Sequence, residues 1–172
     1  TAAREGAAPT PHGAHQAMSW SADNGERGFA TMHIHHVESG TPVAAILRAG
    51  RTPNGTEVRT VVKHVTRRIR RHWPKTRLIW RGDSHYGRDE AMTWCEDNGV
   101  FYVIGFARNE RLRRIIEPQM QQAAQMHQQT GKPARVFTEF SYQTTTGSWS
   151  RPRRVVAKAE QLDGKENPRF VV

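Results

Sequence analysis

The chain has 172 residues, enough for one domain with a sizeable core and not obviously enough for two. It carries 26 Lys and Arg against 16 Asp and Glu, a net charge of +10 that favours a polyanionic partner such as nucleic acid. No apolar run approaches the ~20 residues that cross a membrane and no apolar leader opens the chain, so we expect a soluble, cytoplasmic protein. The single Cys95 excludes an internal disulfide framework and a cysteine-based zinc site.

The first segment, residues 1–24, is rich in Ala, Gly, Pro and Ser and shows no periodicity, so we expect it to be irregular and poorly packed. Alternating residues at 29–37 and a short apolar run at 41–50 flank the turn residues 38–40. This pattern predicts an antiparallel hairpin.

A long amphipathic helix is predicted over residues 54–73, with valines, Ile69 and Trp73 on one face, and Pro74 ends it. Its other face is basic and can follow a phosphate backbone, although a solvated face opposite a core is the commoner meaning of such a pattern. The candidate DNA-binding residues of this helix are Arg59, Lys63, Arg67, Arg70 and Arg71.

Asp83 follows an apolar run at 76–80 that is too short for a helix and predicts a buried, central strand. We expect this strand to lie between the strand at 100–106 and the hairpin. Functional groups in α/β sheets gather beyond the carboxyl ends of such strands, where Asp83 is predicted to lie. Alternatively, an Asp in a strand-to-helix turn bonds backbone N–H groups and does nothing more.

The rest of the chain completes an α/β pattern with helices packed on a mixed sheet. A helix is predicted from Arg88 to Asn98, and a second one at 109–131 should be kinked or split by Pro118. Three further strands are predicted, at 134–144, 151–162 and 168–172.

Two other groups of residues invite a functional reading. Two imidazoles among His33, His35 and His36 would share a strand face with metal-binding spacing, but exposed strand histidines are commoner and we predict no zinc site. Trp94 and Cys95 are better explained by core packing.

Three stretches of the sequence together resemble one protein family. They are "GFATMHIHHVESGTPVAAILRAGRTPNGTEVRTVVKHVTRRIRRHWP", "RGDSHYGRDEAMTWCEDNGVFYVIGFARNERL" and "RPRRVVAKAEQ". They are similar to bacterial insertion-sequence DDE transposases, in the group whose type element is numbered thirteen-eighty. The resemblance implies a ribonuclease-H-like mixed sheet with flanking helices, followed by an inserted β-rich segment.

What the resemblance implies for chemistry is metal-dependent cleavage and strand transfer of DNA. In this family three separated carboxylates hold two divalent ions, usually Mg²⁺, at a phosphodiester. Asp83 would be the second carboxylate, Gly82 would leave space beside it, and His85 would orient a ligand, contact phosphate or pack nearby. The same resemblance implies a DNA contact for three arginines of the β-rich segment: Arg151, Arg153 and Arg154.

The other two carboxylates of the family pattern have no counterpart in the sequence. The stretch before His12 and Gly13 contains only Glu5 as an acid, and the third carboxylate would lie on a late helix beyond Val172. We therefore expect a truncated transposase, with 1–24 out of the family frame, a partial core at 25–130 and a partial β-rich insert at 131–172.

Such a chain would be inactive alone, because one carboxylate cannot hold a metal pair. The alternatives are a non-catalytic basic remnant that binds DNA or interferes by self-association, and a split enzyme completed by a neighbouring chain. In each case we expect it in the cytoplasm with the nucleoid.

Overall fold

The structure, a computed structural model, describes residues 19–21, 26–146 and 148–172. The chain divides after Thr52 into two units, residues 1–52 and residues 53–172. No helix in the described ranges has the length and apolar character needed to cross a bilayer.

The first unit contains a three-stranded antiparallel sheet in the order β1-β2-β3. The predicted hairpin is confirmed, since β2 pairs with β3 and the intervening turn contains Gly40 at a φ of 67°. Residues 19–21 differ from expectation, because they form a strand that pairs with β2. Backbone hydrogen bonds make this pairing possible even where the side chains show no alternating pattern. The remainder of 1–24, with Glu5, lies outside the described residues. The strands are β1 (Ser19–Ser21), β2 (Glu26–His35) and β3 (Pro42–Ala49).

The second unit is a mixed α/β structure built on one six-stranded sheet. Its main order is β4-β5-β9-β7-β6, with β8 paired to β7; β4 and β5 are parallel and the other pairs are antiparallel. The elements are α1 (Gly55–His72), β4 (Ile79–Gly82), α2 (Asp89–Asp97), β5 (Phe101–Phe106), α3 (Glu110–Ile115), α4 (Glu117–Thr130), β6 (Ala134–Tyr142), β7 (Arg153–Leu162), β8 (Lys165–Glu166) and β9 (Arg169–Val171).

The predicted helices are confirmed, with local signals at their ends. Asn54 begins α1 by accepting a hydrogen bond from the amide of Glu57, which satisfies one of the free N–H groups of the first turn. Pro118 lies in the first turn of α4 and separates it from α3, as a proline without an amide hydrogen is expected to do. Trp73 differs from expectation, because it follows the helix and is 62% exposed.

Among the described residues β4, the strand before Asp83, lies at the end of its sheet, so the prediction of a strand between β5 and the hairpin was wrong. Within the described residues β4 pairs with β5 alone, and the hairpin belongs to a separate sheet. Ile79 is consequently 50% exposed. A short apolar run indicates a strand but carries no information about how many neighbours that strand has.

The strands after residue 131 continue the sheet of β4 and β5. Phe106 of β5 pairs with Phe170 of β9, and β9 in turn pairs with β7. Backbone hydrogen bonds therefore cross directly from β5 to the strands that follow residue 131.

All the helices of this unit pack on one face of its sheet. Helices α1 and α2 cover β4 and the start of β5, whereas α3 and α4 pack against β6 and β7. Cys95 lies in this core as expected, and burial raises its pKa to about 12, so the thiol stays protonated. The buried apolar residues at these contacts include Val58, Val62, Met92, Cys95, Ile104, Leu112, Ile116, Val155, Ala157 and Phe170.

A buried arginine at the start of β7 joins this strand to helix α2. The side chain of Arg153 is 3% exposed and donates to Asp89 Oδ1 at 2.6 Å, Glu96 Oε1 at 2.7 Å and Thr93 Oγ1 at 2.9 Å. Its guanidinium also lies 5.5 Å from the centre of the Trp149 ring. The three partners on α2 occupy successive turns, so one side chain holds nearly the whole helix.

We expect Arg153→Leu to lower the free energy of unfolding by about 2–4 kcal/mol, because two partly buried carboxylates lose their counter-charge. Urea denaturation followed by circular dichroism measures this change. The matched control is Arg154→Leu, which removes an exposed guanidinium paired with Glu139 and should cost less than about 1 kcal/mol. Equal losses in the two variants would contradict the role assigned to Arg153.

Stability should fall in acid as the same carboxylates are protonated. Burial alone would raise the pKa of Asp89 and of Glu96. Hydrogen bonds outweigh this effect and lower both pKa values. Asp89 accepts from Ser150 and Arg153, and Glu96 accepts from Arg153 and Tyr102. A lowered folded-state pKa stabilises the fold above the ordinary values of 3.8 and 4.5, and this contribution is lost as the pH falls below them.

Urea midpoints measured from pH 7 to pH 3 test this expectation. The wild-type midpoint should drop below about pH 4.5, whereas Arg153→Leu should show a shallower drop, since its carboxylates have ordinary or raised pKa values. A parallel pH dependence in both proteins would show that other groups control acid unfolding.

Candidate functional site

Asp83 lies directly beyond the carboxyl end of β4, next to the carboxyl end of β5. The parallel register pairs Gly82 with Ile104, so the two strands end at the same edge of the sheet. The Asp83 side chain is 64% exposed there. An exposed carboxylate at this edge is accessible to a large ligand, even though β4 is not a central strand.

The Asp83 carboxylate also has a local structural role. Its Oδ1 accepts a hydrogen bond from the amide of His85 at 2.8 Å and so begins the short 3₁₀ turn Ser84–Tyr86. The His85 ring nitrogen Nδ1 lies 3.4 Å from the same oxygen. The turn-forming reading of Asp83 is thus confirmed, while Oδ2 makes no hydrogen bond to any described residue.

Glycines allow the turn to sit close to the sheet. A Cβ on Gly105 would lie 3.4 Å from the Ser84 nitrogen and 3.5 Å from the Asp83 Cα, so the backbone of the turn packs against bare β5 backbone. A Cβ on Gly82 would meet Tyr86 at 3.3 Å. The space beside Gly82 is therefore occupied by Tyr86, which is a packing reason for this glycine.

The described residues around Asp83 do not fit a two-metal site. No group of three or more His, Cys, Asp or Glu side chains with metal-binding geometry occurs in residues 19–21, 26–146 and 148–172. The His85 ring is the imidazole beside Asp83, and the His85 backbone carbonyl accepts from Arg88 Nε. A pair of divalent cations needs more oxygen ligands than this.

His33 and His35 lie in the last part of β2, and His36 follows it directly. His33 and His35 stack with ring centres 6.1 Å apart, and His36 Nδ1 contacts the hydroxyl of Ser39 at 2.8 Å. With no carboxylate joining them in the described part of the chain, they remain exposed strand residues.

The basic face of α1 forms a continuous cationic stripe along a shallow groove of ≈ 360 Å³. Three residues of this α1 stripe, Thr60, His64 and Arg68, were not named from the sequence, although their spacing of four on a helix would have indicated them. Arg70 lies elsewhere and donates to the carbonyls of Asn98 and Gly99 at 2.9 and 3.1 Å. The α1 stripe consists of Arg59, Thr60, Lys63, His64, Arg67, Arg68 and Arg71.

The arginines of the 151–154 segment are engaged with carboxylates. Arg151 lies 3.6 Å from Glu96 and 3.7 Å from Asp97, and Arg154 pairs with Glu139. Arg153 is buried, so a DNA contact through it is ruled out by its position. Sequence spacing could not distinguish these paired side chains from those of the α1 stripe.

Comparison with known proteins identifies a family for this chain. The family described as transposase DDE domain group 1 matches residues 7–172, nearly the whole chain. The match includes residues 7–24, which we had placed outside the family frame. No curated protein and no solved structure matches the chain. The chain belongs to the transposase DDE domain family.

Proposed function

We propose that this chain takes part in DNA transposition, in the cleavage and strand transfer of phosphodiesters at insertion-sequence ends. The observation that carries the proposal is Asp83, an exposed carboxylate at the end of β4 within the matched region. Enzymes of this family use divalent metals, and we propose Mg²⁺. Asp83 would contribute one carboxylate to the ions, with His85 beside it.

The donor set around Asp83 supports a second part of the proposal, that the chain by itself does not cut DNA. Since the described residues bring together one carboxylate and one imidazole, the remaining ligands would have to come from other groups of the protein or from a neighbouring chain. The group whose type element is numbered thirteen-eighty remains our proposal for the subfamily.

A non-catalytic role in DNA binding is the second candidate, and the α1 stripe favours it. Five Arg and Lys side chains lie along one side of α1, and none of them forms an ion pair with a described residue. Phosphates at the spacing of a nucleic acid backbone are the natural counter-ions for such a row. A remnant with this surface would occupy DNA ends, interfere by self-association and stay with the nucleoid.

Cleavage distinguishes the two candidates. We expect the purified chain to leave intact a supercoiled plasmid that carries the DNA flanking its own gene, in Mg²⁺ or Mn²⁺. Loss of one ligand from such a metal site typically costs on the order of a thousandfold in rate, and the described residues bring a single carboxylate to this one. Gel analysis of nicked and linear products measures the outcome.

The control variant is Asp83→Asn, because an Asn oxygen still accepts from the His85 amide and preserves the turn. Asp83→Ala should lose that hydrogen bond and about 1 kcal/mol of stability, whereas Asp83→Asn should unfold close to wild type. Plasmid cleavage by the wild type that Asp83→Asn abolishes would contradict the proposed inactivity and identify a complete enzyme.

DNA binding should depend on the α1 stripe. We expect the triple variant Arg59→Gln, Lys63→Gln and Arg67→Gln to weaken binding to duplex DNA of any sequence. The slope of log Kd against log salt should fall by about 3, since each lost phosphate contact releases about one fewer counter-ion. Fluorescence anisotropy over a salt series measures both quantities.

A second triple variant with the same change in net charge serves as its control. Arg113→Gln, Arg151→Gln and Arg154→Gln remove guanidinium groups that already pair with carboxylates, so duplex binding should change much less. If both variants lose affinity equally, net charge governs binding and the α1 stripe is no specific surface.

A further inference from the structure

One face of the six-stranded sheet carries no helix of residues 53–172. Side chains alternate along each strand, and the cross-strand register aligns Arg81 with Val103, Gly105 with Val171, and Val171 with Val156. These residues share the face opposite the helices, which we call the open face. Asp83 lies at its rim, because the backbone of its turn packs against Gly105.

The open face exposes an apolar patch at β4 and β5. Ile79 and Phe101 are directly paired and are 50% and 52% exposed, and Val103, two residues along β5, is 43% exposed. Three neighbouring large apolar side chains on a sheet surface are unfavourable in water. A patch of this kind beside a candidate site indicates a surface that a ligand covers.

The charge around the patch is positive. The Arg77 guanidinium lies 4.6 Å from the centre of the Phe101 ring, and Arg81 and Arg169 make no hydrogen bond or ion pair to any described residue. Both carboxylates of the open face are already neutralised. Glu139 is bonded by Arg154, and Glu160 is bonded by Lys158 and Asn167 at 2.6 Å each.

The register places the free arginines on either side of Asp83. Gly82 is level with Ile104, so Asp83 is level with Gly105, which pairs with Val171. Along the direction of β4, Arg81 precedes this level by two residues. Arg169, on β9 two strands away, lies two residues past it. Long guanidinium side chains at these positions reach toward a chain of phosphates that passes the Asp83 carboxylate.

We propose that the open face binds an unpaired stretch of DNA, with bases on Ile79, Phe101 and Val103 and phosphates on Arg81 and Arg169. This inference rests on the proposed function, that the chain acts on DNA. Unpaired bases expose flat apolar faces that stack on aromatic and apolar side chains, whereas a duplex keeps those faces buried between its base pairs. Duplex DNA therefore uses the α1 stripe, and single-stranded DNA uses the open face.

The test compares a fluorescein-labelled dT12 oligonucleotide with a 20-base-pair duplex by anisotropy, at several salt concentrations. Phe101→Ala should weaken dT12 binding by about fivefold or more and leave duplex binding unchanged. Phe101→Trp should restore or tighten dT12 binding, since the larger ring stacks better. Arg81→Gln and Arg169→Gln should each reduce the salt slope for dT12 by about 0.7.

Phe137→Ala is the matched control, because Phe137 is 63% exposed on the same face but lies on β6, away from the patch. Its dT12 affinity should equal that of the wild type. Unchanged dT12 binding by Phe101→Ala, or an equal loss for Phe137→Ala, would overturn the proposal while duplex binding by the α1 stripe stands. An effect of Phe101→Ala on the oligomeric state alone would assign the patch to a protein contact and overturn it as well.

If neither DNA form binds the wild type, both the open-face proposal and the DNA-binding role fail together. Binding of the duplex without dT12 rejects the open-face proposal only. Circular dichroism of each variant shows whether the fold is intact, and Phe101→Trp keeps the comparison decisive if Phe101→Ala unfolds.

Discussion

The structure of residues 53–172 depends on how one buried cation is satisfied. Arg153 begins β7, yet its guanidinium reaches across to three side chains of α2 and is shielded by Trp149. A charge with 3% exposure is tolerated only because carboxylates surround it. The contact fixes α2 relative to the strands that follow residue 131, and α2 follows directly from the turn that carries Asp83.

Asp83 combines two roles that compete in many proteins. One carboxylate oxygen is used by the backbone of its own turn, so the fold itself orients the group. The other oxygen faces solvent at the sheet edge. An acid held in this way is positioned for a ligand before the ligand arrives, which lowers the entropy lost on binding. Gly105 has no side chain, so the backbone of the Asp83 turn lies directly on the backbone of β5.

The excess of positive charge is distributed unevenly by the fold. The arginines of the 151–154 segment pair with Glu96, Asp97 and Glu139. Because their charges are neutralised locally, they stabilise the fold and add little to the electrostatic potential at the surface. The α1 stripe and the pair Arg81 and Arg169 have no such partners among the described residues, so they dominate the field that a polyanion meets. Two basic surfaces with different neighbours result, one purely basic and one basic with apolar side chains.

The family, the hairpin, the α1 amphipathic pattern and the split at Pro118 were determined by the sequence alone, because each depends on residues close together along the chain. Asp83 was singled out by its place after an apolar run, and its turn-forming bond follows from the same local signal. Only the tertiary structure decided that β4 has β5 as its one described neighbour, that β6, β7 and β9 continue its sheet, and that Arg153 is buried while Arg81 has no partner among the described residues. These properties depend on which distant strands form hydrogen bonds, and strand pairing over long separations leaves no periodicity in a single sequence.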